Sequence, residues 1–116
     1  MIQRDYGDYI QDIFQSINDI ESFIKNSSPE QFLVDKKTSL AVCRSLEIIG
    51  EAAKQIPENV RQQYPNIPFK KLAGLRDKLI HAYHEIDHRV IWDIITNDLP
   101  PIKPAIKKLL DQFPSL

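Results

Sequence analysis

The spacing of the isoleucines in the first quarter of the chain constrains its fold more than any other feature. Ile2, Tyr6, Tyr9, Ile10, Ile13, Ile17, Ile20 and Ile24 recur mostly at intervals of three and four residues. On an α-helix that period gathers them into one stripe, whereas on a strand it would scatter them over both faces. Asp5, Asp8, Asp12, Asp19 and Glu21 lie mostly off the stripe. The spacing therefore predicts a helix from about Arg4 to Lys25 with one wet and one dry face. Such a face needs partners, and no alternating strand pattern persists anywhere in the chain, so those partners are expected to be helices too.

Prolines and caps divide the rest. Asn26-Ser27-Ser28-Pro29 ends the first helix and starts a short helical turn, with Pro29 at a first-turn position. A second long helix is expected from Asp35 or Thr38 to Gln55. Ala41, Val42, Ser45, Leu46, Ile48, Ile49, Ala52, Ala53 and Ile56 give it a wide apolar arc, while Arg44, Glu47, Glu51 and Lys54 collect opposite. That charged side reads as a solvated face with i,i+3 and i,i+4 pairs. Pro57 stops the helix, and Glu58–Tyr64 has room for one or two turns before Pro65. Pro68 opens a third helix, expected to run over residues 68–87, with Phe69, Leu72, Ala73, Leu79, Ile80 and Tyr83 on its apolar face. Asp87 can cap a fourth over 88–98. Pro100, Pro101 and Pro104 mark a break and a restart, after which Ile102, Ile106, Leu109, Leu110 and Phe113 form a last stripe. The expected fold is all-α: a four- to five-helix bundle with up-down antiparallel neighbours.

At 116 residues the chain fits one domain, 1–116, and folding at this size buries roughly two-thirds of the chain surface. No apolar run approaches the ~20 residues of a membrane span. The opening MIQRDYGDYIQD is too polar for a signal-peptide core, so a cytoplasmic protein with no membrane partner is expected. Cys43 is the sole cysteine, which excludes an intrachain disulfide and a Cys-based zinc site. The net charge of −1 argues against a broad nucleic-acid-binding surface. The charge is uneven, however: residues 1–35 hold two basic and seven acidic residues, and the remainder 13 basic and 9 acidic.

One residue breaks the amphipathic logic. At about 100° per residue, Arg76 falls inside the apolar face of the third helix, between Leu72, Leu79, Ile80 and Tyr83. A guanidinium stays charged, and burying it unpaired is costly. Glu47 or Glu51, a bound phosphate or a subunit interface would each offset that cost. His81 lies about 140° round from Arg76. The two can flank one cleft or meet across a two-fold axis. An imidazole can serve as general base or acid, and a guanidinium can stabilise a phosphorane, which together suffice for metal-free RNA cleavage. A structurally paired arginine with a surface histidine fits the spacing as well.

Arg76-Asp77-Lys78-Leu79-Ile80-His81-Ala82-Tyr83 matches R-x4-H-x-Y, the signature of HepT-like toxins of the HEPN superfamily. SLEIIGEAAKQIP (45–57) resembles the second helix of that family. GLRDKLIHAYHEIDHRVIWDIITNDLPPIK (74–103) resembles its motif helix and the following tryptophan-bearing helix, so the resemblance covers nearly the whole chain. It implies an HEPN-type bundle and a metal-independent endoribonuclease without cofactor, the toxin of a type VII (HepT/MntA-like) toxin–antitoxin system. It implies a homodimer with its Arg–His pairs at the interface, Arg76 and His81 catalytic and Asp77 supporting. It also implies an MntA-like nucleotidyltransferase antitoxin that adds AMP to Tyr83. Lys70, Lys71 and Lys78 surround the motif and are candidate RNA contacts, though solvated lysines fit equally.

Three rival readings stand beside this one. Asp77, His81, His84 and His88 share about 60° of a wheel if the third helix continues that far, a feasible zinc or nickel spacing, although the Asp87 cap argues against it. The chain also fits a non-catalytic nucleotide- or substrate-binding helical partner of a nucleotidyltransferase. A plain structural dimerisation domain is the third.

Overall fold

The computed structural model describes residues 5–113, with the side chain of Tyr83 left outside that description. Seven α-helices follow in order: α1 (Tyr6–Ile24), α2 (Pro29–Val34), α3 (Lys36–Lys54), α4 (Glu58–Gln63), α5 (Phe69–His81), α6 (His88–Asp93) and α7 (Ile102–Leu110). The all-α expectation holds, and among the described residues there is no strand. α1, α3, α5, α6 with the turn that continues it, and α7 match the expected four or five helices; α2 is the short turn foreseen at Pro29, and α4 the one foreseen between Pro57 and Pro65. None of the described helices is long and apolar enough to cross a membrane.

Local chemistry sets the helix starts. The Asp5 carboxylate accepts from the Asp8 N–H, so α1 begins at Tyr6, two residues inside the expected Arg4. Ile2, the first residue of the expected stripe, and Arg4, the expected helix start, lie outside the described residues. Ser28 and Gln31 form a reciprocal capping box at α2, with Pro29 at its first position. Asp35 caps α3 through the Thr38 N–H and hydroxyl. Those bonds, the hydroxyl first, hold its carboxyl below the usual carboxylate range. At the far end of α3, Arg61 of α4 donates to the carbonyls of Ala53, Lys54 and Ile56, at 2.8, 3.3 and 2.9 Å. A helix end otherwise leaves such carbonyls without partners, and a cation also suits the negative end of the helix dipole.

The α1 stripe buries Ile10, Ile13, Ile17 and Ile20 almost completely. α3 is the central helix, packed against α1 on one side and α5 on the other. Its Cys43 is buried, and burial, aided by the nearby Glu47 charge, pushes the thiol up to about 11. α7 lies along α1, where Phe113 meets Tyr6 edge-on with ring centroids 4.9 Å apart. α6 runs directly into a wider π turn, Ile94–Asp98, so Ile91, Ile95 and Leu99 stay on one buried line.

Two differences from the sequence expectation concern α5. The helix stops at His81 instead of continuing to Asp87: Ala82 leaves helical geometry at φ −137°, ψ 33°, and Tyr83–Glu85 form a 3₁₀ turn. No glycine or proline marks this end. The chain turns because α6 docks elsewhere, with His88 3.3 Å from the Ser39 hydroxyl and Trp92 packed on Phe32 at 5.2 Å. Tertiary anchoring thus overrides local helix propensity. The second difference is Ile80, expected on the apolar face but 44% exposed.

α3 and α5 approach closely because Gly50 has no side chain. A Cβ there would sit 2.1 Å from the Arg76 Cβ and 2.6 Å from the Leu72 carbonyl oxygen. Gly74, exposed on α5, faces open space. Gly50→Ala is therefore expected to cost about 2–3 kcal/mol through overpacking. Gly74→Ala should be neutral or stabilising by up to about 1 kcal/mol through helix propensity. Urea unfolding of both variants checks this, and equal midpoints would contradict the close approach.

Candidate active site

Arg76 stands at the edge of α5 that faces α3, not in the middle of the apolar face. Its stem is pressed against Gly50, and its side chain is 25% exposed. Of the two counter-ions the sequence left open, Glu51 is the one used, at 3.0 Å from Nη2. Glu47 pairs instead with Arg44 one turn earlier, at 3.2 Å. The other guanidinium nitrogen donates to the Asp77 carboxylate at 3.1 Å, and Lys54 of α3 reaches the same oxygen at 2.5 Å. The charged side of α3 is therefore only partly a solvated face: Arg44–Glu47 fits that description, whereas Glu51 and Lys54 bridge to α5.

The four groups form a chain, Lys54–Asp77–Arg76–Glu51, whose charges cancel. Lys54 first, then Arg76, holds the Asp77 carboxyl below the usual carboxylate range. A guanidinium carries a fork of N–H donors, and these two carboxylates engage only part of it. The remainder can meet another planar acceptor such as a phosphate.

Arg76 and Ile80 border a cleft of about 310 Å³, closed by Glu47, Ile48 and Glu51 of α3 and by Tyr9 and Asp12 of α1. Arg44, on the charged side of α3, lines the same cleft as a second arginine. The available signal was Gly50: a glycine inside a long helix marks close backbone approach, and its neighbours Glu47 and Glu51 flank that contact.

His81 is the last residue of α5 and is exposed; among the described residues it has no hydrogen-bond or ion-pair partner. It lies five positions beyond Arg76, which on a helix is about 140° of rotation and about 7.5 Å of rise. One chain therefore does not converge the two on a single point. Lys70, Lys71 and Lys78 are exposed and do not line the Arg76 cleft; Lys71 borders a separate cleft of about 510 Å³ beside the π turn. The shared wheel of Asp77, His81, His84 and His88 loses its premise at the end of α5. His88 turns to Ser39, His84 lies in the 3₁₀ turn, and among the described residues no three His, Cys, Asp or Glu side chains converge as a metal set. Tyr83 opens that turn and so leaves the α5 stripe on which the sequence placed it; its side chain lies outside the described residues.

The comparisons with known proteins cover nearly the whole chain. The family model "Ribonuclease HepT-like" matches residues 13–109. A Thermococcus cleftensis protein named "Probable ribonuclease HepT" is 46% identical, over 93% of this chain and 98% of its own length. A Methanocaldococcus jannaschii protein named as a "Putative RNase" is 44% identical, over 95% and 91%. Another of that designation, from Caldanaerobacter subterraneus, is 38% identical, over 90% and 93%. No solved structure matches the chain.

The Asp77 pairing predicts a pH signature. A depressed carboxyl pKa contributes stability that is present above the unfolded value and is lost as pH falls through the folded value. Asp77→Asn is thus expected to be less stable than the parent at pH 7, with the gap closing as pH falls below about 4, the ordinary aspartate value. Urea titrations at stepped pH test it; a gap that persists at pH 2 would mean that the carboxylate charge is not its source.

Proposed function

The chain belongs to the HepT-like ribonuclease family, and from that premise we propose that it is an endoribonuclease, the toxin of a type VII (HepT/MntA-like) toxin–antitoxin pair. The observation that carries the reading is the placement of Arg76 and His81 on one outward helix, the arginine in a cleft and the histidine at the free end. A two-fold axis beside α5 would bring the Arg76 of each copy toward the His81 of the other. Leu40 and Ile80, 45% and 44% exposed, flank Arg44 and Glu47 on one α3–α5 face. Large apolar side chains bordered by opposite charges suit a self-complementary interface.

On this reading one His81 removes the ribose 2′-hydroxyl proton. The 2′-oxygen attacks the adjacent phosphorus, the bond to the 5′-oxygen breaks, and the protonated His81 of the second copy supplies that oxygen with its proton. Arg76 donates to the non-bridging oxygens as their charge grows. The products carry 2′,3′-cyclic phosphate and 5′-hydroxyl ends. Asp77 fixes the direction of the Arg76 head. Lys70, Lys71 and Lys78 serve as outlying contacts to the RNA backbone.

Control falls on Tyr83, two residues beyond His81. An MntA-like nucleotidyltransferase would transfer AMP from ATP to its phenol oxygen and release pyrophosphate. The added phosphate repels the RNA backbone from the adjacent histidine.

Arg76→Ala and His81→Ala are each expected to cut RNA at least about 100-fold more slowly while keeping their circular dichroism. EDTA should leave the parent rate unchanged; loss of cleavage in EDTA, restored by added metal, contradicts the mechanism. Ile80→Asp should shift the sedimenting species from dimer to monomer and abolish cleavage with Arg76 and His81 intact. Mass spectrometry of the chain co-expressed with its antitoxin should show AMP on Tyr83, and an inhibited but unmodified complex would refute that part.

A further inference from the structure

Arg76 is already neutralised before any RNA arrives. Its stem is fixed by the Gly50 contact, and one side of its head is tied to Asp77, which Lys54 holds in turn. Glu51 and Asp77 are similarly exposed, 54% and 48%, but only Asp77 is held by Lys54 and only Glu51 lines the cleft. A salt bridge this open is individually weak. It is therefore easy to displace, whereas the packed stem and the Asp77 tie remain.

We propose that Glu51 is a displaceable counter-ion that occupies the phosphate seat on Arg76 and sets how tightly a nucleic-acid backbone binds there. This rests on the ribonuclease reading only for the identity of the ligand, a single-stranded phosphodiester chain. When a phosphate takes the seat, Glu51 swings into the solvent on its flexible stem, and Arg76 keeps its direction through Gly50 and Asp77. The empty site thus presents no unpaired guanidinium, and weak or mispositioned anions are rejected because they must outcompete a tethered carboxylate. Glu51 touches no reacting atom in this scheme; it acts through Arg76.

The test measures binding of a labelled single-stranded oligonucleotide with 2′-O-methyl riboses, which lack the attacking hydroxyl, to the whole chain by fluorescence anisotropy across a salt series. Glu51→Gln keeps the shape and an acceptor oxygen but removes the charge. It is expected to tighten binding about five- to tenfold. It should also steepen the dependence of log affinity on log salt by up to about 0.7, the share of one single-strand phosphate. A purely structural role would not steepen that slope. Adding Arg76→Ala to Glu51→Gln should erase both gains. Glu51→Gln that binds no more tightly than the parent overturns the proposal, including the case in which neither binds. Gains that survive in the double variant overturn it too, because Glu51 would then act by general repulsion. Cleavage of the matching ribose oligonucleotide by the parent, and its loss in His81→Ala, reports separately on the ribonuclease reading.

Discussion

The approach of α3 to α5 at Gly50 is the contact on which the rest of the site depends. Without a Cβ at that position the two helices close until the Arg76 stem rests on the α3 backbone. That spacing brings Glu51 and Lys54, one helical turn apart on α3, within reach of Arg76 and Asp77, which are adjacent on α5. Any larger residue at 50 would hold the helices apart and lengthen together the two bridges between them, Glu51–Arg76 and Lys54–Asp77. The glycine costs helix propensity in α3, a loss of about 1 kcal/mol relative to alanine. The core around Leu46, Ile49 and Leu79, each almost fully buried, offsets it.

Stability and orientation come from different sources here. The ion pairs around Arg76 are partly exposed, and such pairs contribute little to folding. Their effect is directional: two carboxylates at separate nitrogens of a planar group leave it few orientations. Lysine at 76 would not serve, since a single ammonium on a flexible stem lacks the planar fork that bridges both acids. The burial that stabilises the fold lies elsewhere, along the isoleucine line of α1 and the small-residue face of α3.

Much of this fold was legible in the sequence because its signals are local. The three-and-four spacing from Ile10 to Ile20, the Ser28–Gln31 box and the prolines at 57, 68 and 101 each act within a turn or two, and the helices begin and end near them. The end of α5 was not legible, because its cause is the docking of His88 on Ser39 and Trp92 on Phe32, dozens of residues away. The choice of Glu51 over Glu47 was open for a similar reason. Both lie on the same side of α3, and only the relative height of α3 and α5 decides which one meets Arg76. A wheel of α5 alone placed Arg76 among apolar residues and Ile80 in the core. The neighbouring helix covers one side of that face and leaves Ile80 outside.

The charge balance fits the same geometry. A chain with net charge −1 lacks the broad positive field that draws nucleic acid from a distance. The Arg76 network is neutral in itself, and Arg44 in the same cleft is matched by Glu47. On the ribonuclease reading, attraction must therefore arise at contact, when backbone phosphates replace carboxylates on arginines already aimed. One such exchange yields little, because one ion pair is traded for another. A two-fold assembly doubles the number of exchanges on one RNA strand and supplies the histidine that a single chain leaves about 140° away from its own arginine. On that reading, charge neutrality and the separation of Arg76 from His81 have the same consequence: an isolated chain would bind and cut poorly, and the function would belong to the pair.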